Sequence, residues 1–267
     1  MQTEKVIEYI VNWLKSYAVN AGSRGFVLGI SGGIDSAVVS KLCAKTGLEV
    51  LCLEMPIHQA QSHVSRGKLH IEDLKNTFPN VKNEVVDLTP TFETFKTEVA
   101  PEANNPTVDL ALANTRARLR MTTLYYYAGL HGLLVAGTGN KIEDFGIGFY
   151  TKYGDGGVDL SPIADLLKTE VYSLAKALNI HSSILNAVPS DGLFGDDRSD
   201  EDQIGASYPE LEWAMQRKAD GFSPEDFEGR QKEVFELYVR LHRNNQHKMV
   251  PIPICQIPDN LKKPAVS

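Results

Sequence analysis

The sequence predicts an α/β chain built on a doubly wound parallel sheet flanked by helices. Short apolar runs alternate with stretches of helical periodicity, the pattern of parallel strands covered on both faces. The chain's 267 residues, 42% of them hydrophobic, suffice to enclose a sizeable core.

The elements follow in order. Val6, Ile7, Ile10, Val11 and Leu14 recur at helical spacing, and Thr3 is placed to cap that helix. The run Phe26–Ile30 reads as the first strand, with a helix after it ending near Gly47. Glu49–Met55 is a second strand, Gly67–Phe78 a helix and Glu84–Leu88 a third strand. A long helix over Val108–His131 leads to a fourth strand, Leu133–Ala136. Thr138–Asp159, rich in Gly, Asp and Lys, reads as a functional loop. Helix returns over Lys168–Leu178, and the acidic, Gly- and Ser-bearing stretch Pro189–Ser207 is expected to be mobile. Two more helical patterns and a proline-rich tail close the chain, so the expectation is one domain over 1–267 with a helical extension from about residue 168.

The net charge of −7 argues against a protein that grips long nucleic acid, though not against a local basic pocket for a phosphate. The three cysteines, Cys43, Cys52 and Cys255, form no CxxC pair, and the first two sit in apolar stretches as small core residues. The start, Met1–Lys15, lacks the basic leader and apolar run of a signal peptide. No apolar stretch reaches the ~18 residues of a membrane span. A cytoplasmic compartment, with neither membrane nor nucleic acid as partner, is the expectation.

The strongest local signal is Gly29-Ile30-Ser31-Gly32-Gly33-Ile34-Asp35-Ser36, set between a strand and a helix. Gly32 and Gly33 permit a tight turn with N–H groups toward an anion, Ser31 and Ser36 add hydroxyls, and the helix presents its positive end. That combination suits a pyrophosphate. The spacing is neither that of a Walker loop nor that of a dinucleotide fingerprint.

The string resembles the SGGxDS loop of the ATP pyrophosphatases, which cleave ATP between the α and β phosphates. Within that group, Gly137–Glu143, Thr151–Asp159, Pro162 and Lys168 resemble the successive signatures of the ammonia-dependent NAD synthetases. Arg118 and the pair His247-Lys248 match as well, and the resemblance runs from about residue 5 to 255. It implies an adenine-nucleotide alpha-hydrolase-like, Rossmann-like fold. It also implies ATP-dependent amidation of deamido-NAD by ammonia through an acyl-adenylate, releasing AMP and pyrophosphate.

Site roles follow from the resemblance. Gly29, Ile30, Ser31, Gly32, Gly33, Ile34, Asp35, Ser36, Thr138, Lys168 and Ser190 would contact ATP. Arg118, Lys152, Asp159, His247 and Lys248 would contact deamido-NAD. Asp35 and Glu143 would hold Mg²⁺, since hard oxygen donors beside phosphates suit that ion. Lys168 would clamp the phosphates, and Asp155 would hold ammonium or take its proton. Alone, Asp35 and Glu143 would read as helix caps or solvated carboxylates, Lys168 as a surface charge, and His247 as a solvent-facing residue in a basic helix end. The stretch from Glu143 to Lys152 is one residue longer than the family pattern, which leaves Glu143 and Asp144 as alternatives for one position.

Two rivals stand beside this reading. A glutamine-dependent relative would need a glutaminase part with a nucleophilic cysteine, for which no room is seen. A non-catalytic nucleotide sensor would not need Asp35, Glu143 and Lys168 together. The loop Thr151–Asp159 is expected to close over the intermediate. A homodimer is expected along the long helix, where Leu110, Ala113, Ala117, Met121, Leu124 and Ala128 form one stripe. Val108, Leu112, Thr115, Leu119, Thr122 and Tyr126 form a second, with Arg118 between the two. Tyr125, Tyr126 and Tyr127 read as core or interface rather than as a base-stacking platform.

Overall fold

Alternation along the strands divides the interior in two. In β1 (Gly25–Gly29), Phe26 and Leu28 enter one core and Val27 enters the other. In β2 (Glu49–Glu54), Val50 and Cys52 join Phe26 and Leu28, whereas Leu51 and Leu53 join Val27. A computed structural model describes residues 1–59, 61–99, 105–189 and 199–262. It contains a four-stranded parallel sheet of order β3-β2-β1-β4, completed by β3 (Val81–Val85) and β4 (Leu134–Val135).

Helices cover both faces. The first core takes Leu14 from α1 (Thr3–Asn20), Leu42 from α2 (Ile34–Lys45), Leu74 from α3 (Gln61–Thr77) and Leu174 from α6 (Lys168–Ala177). The second takes Phe92 from α4 (Thr89–Val99) and Leu112 and Ala128 from α5 (Pro106–His131). Cys43 and Cys52 are both buried among apolar neighbours, as expected of small core residues.

After α6 come the short helices α7 (Ser182–Leu185) and α8 (Asp200–Ile204), then α9 (Tyr208–Ala219), α10 (Gly229–Met249) and α11 (Asp259–Lys262). The helices α9 and α10 build a third core with Ile142 and Ile147.

The strand order decides where a ligand can sit. From β1 the chain moves outward through β2 and β3, then returns to place β4 on the other side of β1. The loops leaving β1 and β4 therefore diverge and open a crevice at the carboxyl ends of those strands, the switch point where α/β sheets bind ligands. Those loops are Ile30–Gly33 and the segment from Ala136 onward, whose bridge to Leu160 extends the sheet by one more parallel pair.

Several elements differ from the sequence reading. The third strand occupies Val81–Val85, earlier than Glu84–Leu88, because it is an edge strand whose exposed residues carry no apolar signal. Leu88, which drew the reading forward, is buried in the second core just past the strand. Helix α3 begins at Gln61 rather than Gly67, its polar first turns lying over the β1 loop rather than in a core. Thr3 is the first helical residue and Gln2 the cap position, with no side-chain cap bond. The loop 138–159 contains a turn of π-helix at Ile142–Ile147. In the acidic stretch, residues 190–198 lie outside the described residues, but Asp200–Ile204 form α8, capped by Ser199 through a box with Asp202.

The two-stripe reading of the long helix needs correction as well. Helix α5 buries Leu112, Ala113, Ala117 and Ala128, drawn from both stripes, and Leu119 packs on the second core. Its outward face carries Leu110, Arg118, Thr122, Tyr126 and Leu130. A helix wedged between the sheet and a loop needs a core face broader than one stripe.

Leu28 is fully buried in the central strand. Replacing it with alanine is expected to lower unfolding free energy by about 2–5 kcal/mol. Denaturant titration checks this, with the exposed Tyr9→Ala as a comparison that changes little.

Candidate active site

The glycine-rich turn after β1 is held open by contacts only glycine permits. Gly32 has φ +80°, and a Cβ there would lie 2.4 Å from the His63 carbonyl oxygen of α3. Arg66 on the same helix donates from Nε to the Gly32 carbonyl at 3.1 Å. The serines brace the turn from inside: Ser31 N–H donates to Ser36 Oγ at 3.3 Å, Gly33 N–H to Ser31 Oγ at 3.2 Å, and Ser36 Oγ to the Gly33 carbonyl at 3.0 Å. Gly33 is the N-cap of α2, so Ile34, Asp35 and Ser36 occupy its first turn, at the positive end of its dipole.

Three segments then meet on one charge. Lys168, the first residue of α6, is only 3% exposed, and its Nζ donates to Asp35 Oδ2 at 2.6 Å and Glu143 Oε1 at 2.9 Å. The Tyr208 ring lies 4.9 Å from the same ammonium, and the Tyr208 hydroxyl donates to Glu143 Oε1. Fully buried Asn140 completes the frame: its Nδ2 donates to Asp35 Oδ1 at 3.1 Å, and its Oδ1 accepts the Glu143 N–H at 3.1 Å.

The electrostatics follow from that geometry. Burial alone would favour neutral Lys168, but the two carboxylates outweigh it and raise its pKa far above the ordinary lysine value. Burial raises the Asp35 carboxyl's pKa against the pull of Lys168. For Glu143 burial also opposes ionisation, yet Lys168, Tyr208 and Asn140 prevail and hold it below its usual range.

Glu143 and Asp144 are placed differently. Glu143 faces Lys168, whereas Asp144 points elsewhere in the same cavity, against the backbone of Gly139, where a Cβ would meet its carboxylate at 2.1 Å. Glu143 and Asp144 both lie in the π turn Ile142–Ile147, whose pitch sends adjacent side chains in different directions. Burial, then Glu143, Asp155 and Asp35, push the Asp144 carboxyl up to about 8.

These groups line one cavity of about 270 Å³ at the switch point. Its wall includes Gly29, Ile30, Ser31, Gly33, Ile34, Asp35, Ser36, Thr138, Glu143, Asp155 and Lys168. Gly32 supports the turn from outside the wall, and Ser190 lies outside the described residues. Asp155 presents accessible surface, yet protein surrounds it densely enough that burial raises its pKa. The Thr151 N–H donates to its Oδ1 at 2.9 Å and partly offsets that.

The loop bearing Asp155 lies flat on α5, where its glycines are needed. A Cβ on Gly154 would meet Ala117 Cβ at 2.8 Å, and one on Gly157 would meet Met121 Cγ at 2.9 Å. The basic residues expected to meet deamido-NAD gather around this loop rather than in the cavity. Arg118 Nη2 donates to the Lys152 carbonyl at 3.3 Å, Lys152 Nζ to the His247 carbonyl at 2.6 Å, and Lys248 Nζ to the carbonyls of Gly148 and Tyr150, both at 2.8 Å. Asp159 sits apart, accepting the Val135 N–H at 2.8 Å and the Tyr125 hydroxyl at 3.0 Å.

A family profile described as NAD synthase matches residues 6–251. The chain belongs to the NAD synthase family. It is 37% identical to the NH(3)-dependent NAD(+) synthetase of Archaeoglobus fulgidus, over 98% of this chain and 100% of the relative. It is 35% identical to the protein of that description from Carboxydothermus hydrogenoformans, over 92% of this chain and 94% of the relative. Among solved structures, NMN synthetase from Francisella tularensis aligns with a TM-score of 0.82 at 30% identity, over 97% of this chain and 99% of that one. The NH3-dependent NAD synthetase from Campylobacter jejuni aligns with a TM-score of 0.76 at 26% identity, over 96% and 100%. As an NAD synthase family member the chain is a ligase, and its sheet and flanking helices are the fold of those structures.

Sequence reasoning passed over Asn140, Tyr208, His63 and Arg66. The first lies inside a quoted signature and could have been found there; the others carry no local signal, because only packing brings them to the site.

Lys168→Met, which removes the charge but keeps the length, is expected to cost about 3–5 kcal/mol at pH 8 by leaving Asp35 and Glu143 unpaired. The penalty should shrink toward pH 5 as those carboxyls, their pKa values raised by loss of the ammonium, take up protons. In the unmodified chain Lys168 has a raised pKa, so its contribution is complete below the ordinary lysine value and lost only in stronger alkali. Urea unfolding of both proteins across this range checks the pattern.

Proposed function

We propose that this chain catalyses the ATP-dependent amidation of deamido-NAD by ammonia, through an acyl-adenylate, with release of AMP and pyrophosphate. The observation that carries the reading is the Lys168 ammonium held between Asp35 and Glu143 beside the Gly32-Gly33 turn. The full-length match to curated relatives described as NH(3)-dependent supports ammonia as the nitrogen source.

The chemistry needs such a site. A carboxylate is a poor acyl donor because its leaving group would be oxide. Attack of the nicotinate oxygen on the α-phosphorus of ATP, with loss of pyrophosphate, replaces oxide by AMP. Ammonia then forms the C–N bond at the acyl carbon, AMP leaves, and the spare proton goes to a base.

The Gly32-Gly33 turn, the N-terminus of α2 and Lys168 would neutralise the departing pyrophosphate, and Ser31, Ser36 and Thr138 would orient the phosphates. Asp155 is the residue for holding ammonium or receiving its proton; a raised carboxyl pKa suits that task. The loop Thr151–Asp159 would close over the intermediate and exclude water. Arg118, Lys152, Asp159, His247 and Lys248 would bind deamido-NAD beyond that loop.

Asp35 and Glu143 fit a divalent cation, because their oxygens already converge on one positive charge and are hard donors. Bound there, Mg²⁺ would supply charge neutralisation to the ATP phosphates. The chain is proposed to work as one domain with a helical extension, in the cytoplasm; no helix among the described residues is long and apolar enough to cross a membrane.

A second reading concerns only the acceptor. The alignment with a chain described as NMN synthetase favours testing the mononucleotide, which lacks the adenylate half of deamido-NAD. Purified protein with ATP, Mg²⁺ and ammonium is expected to form NAD and AMP from deamido-NAD, with glutamine freed of ammonia giving none. A higher kcat/KM for nicotinate mononucleotide would move the assignment to the second reading, and no amide product from either would reject both.

The homodimer is proposed on the outward face of α5, where Tyr126 is 64% and Leu130 59% exposed beside Arg118. Leu119, packed on the second core, belongs to the subunit's own interior. Tyr126→Glu is expected to convert a dimer to a folded monomer, read by light scattering and circular dichroism.

A further inference from the structure

We propose that Tyr208 is a positioning residue of the phosphate site, fixing the Glu143 carboxylate and so making cation binding depend on the C-terminal helices. The inference rests on the reading of Glu143 as a metal ligand.

Tyr208 is 4% exposed and is the first residue of α9. Its backbone N–H donates to Glu201 Oε1 at 2.8 Å, and the preceding Ser207 forms a capping box with Glu210. Glu210 is in turn paired with Arg230 of α10 at 2.8 Å. The Tyr208 main chain is thus fixed by α8, α9 and α10, and its side chain reaches from the third core to the charged cluster.

There the hydroxyl lies 2.5 Å from Glu143 Oε1 and 3.2 Å from Asp200 Oδ2. One hydroxyl proton serves one acceptor, and the shorter contact assigns it to Glu143. Glu143 Oε1 also accepts from Lys168, so that oxygen is held by two donors, and the Asn140 side chain stabilises the same carboxylate. With Lys168, Tyr208 fixes Oε1 and so restricts how the carboxylate can turn toward a cation. Beyond the hydroxyl, the ring lies against the Lys168 ammonium at 4.9 Å and limits water access there.

The consequence is a division of labour within one side chain. The ring is packing, shared with the third core; the hydroxyl acts on Glu143. Removing only the hydroxyl should therefore weaken cation binding without unfolding the chain.

The test is Mn²⁺ binding to the full chain in the presence of ATP, followed by electron paramagnetic resonance, for wild type, Glu143→Gln and Tyr208→Phe. Tyr208→Phe is expected to weaken Mn²⁺ about tenfold, the scale of one hydrogen bond to a charged group, with a melting temperature only a few degrees lower. The Mg²⁺ concentration for half-maximal activity should rise in step, while kcat at saturating Mg²⁺ stays within about threefold. Replacing Tyr208 by 4-aminophenylalanine, which restores an N–H donor on the same ring, should recover most of the loss.

Unchanged Mn²⁺ affinity in Tyr208→Phe, with strong loss in Glu143→Gln, overturns the positioning role alone. Unchanged affinity in Glu143→Gln overturns the metal reading of Glu143 and this inference with it. Should Tyr208→Phe not fold, the ¹³Cζ resonance of Tyr208 in wild type decides. A shift on adding Mg²⁺ with ATP that is absent in Glu143→Gln supports the proposal, and no shift overturns it.

Discussion

A buried ammonium between two carboxylates has to be assembled from distant parts of the chain at once. Lys168 begins α6, Asp35 lies in the first turn of α2, and Glu143 lies in a π turn after β4. Each group would be costly to bury alone; Asn140 adds a donor to the second Asp35 oxygen and Tyr208 a second donor to the Glu143 oxygen that Lys168 holds. The rest of the structure is arranged to hold these segments within hydrogen-bond reach of one nitrogen.

The sheet order makes that meeting possible. Because β4 lies on the opposite side of β1 from β2, the segments leaving β1 and β4 flank the same crevice. Leu174 anchors α6 in the same core as Leu42 of α2, so Lys168 and Asp35 sit on neighbouring helices. The π turn is tied to the third core by Ile142 and Ile147 and to α10 by His242, whose Nδ1 lies 2.7 Å from the Gly146 carbonyl oxygen. Glu143 is therefore positioned by the C-terminal helices, and Asp35 and Lys168 by the sheet and its first helical layer.

Close packing explains the glycines of the two motifs in the same terms. Gly32 admits the His63 carbonyl, and Gly154 and Gly157 let the loop lie directly on Ala117 and Met121 of α5. The basic residues expected to meet deamido-NAD do not share the cavity with the phosphate groups. Arg118, Lys152 and Lys248 spend their donors on backbone carbonyls of the loop and α10, forming a separate latch around it. Asp155 thus lines the cavity on a loop that these basic residues hold by its carbonyls and by α10.

By itself the sequence determined the parallel α/β architecture, the turn after β1, the start of α6 at Lys168 and the carboxylate and lysine types of the site. Those are local matters: alternation of apolar residues, glycine in a strained turn, and residue spacing in signatures that resemble a known family. It misplaced β3, because an edge strand with exposed residues lacks an apolar pattern, and it left Glu143 and Asp144 unresolved, because a π turn has no marker in residue spacing. Tertiary structure alone decided that Glu143 rather than Asp144 meets Lys168, that Tyr208 and Asn140 join them, and that Leu119 faces inward. The reason is physical: a contact between residues as far apart as 35 and 168 depends on which helices pack side by side, and no local pattern of residues encodes that distance.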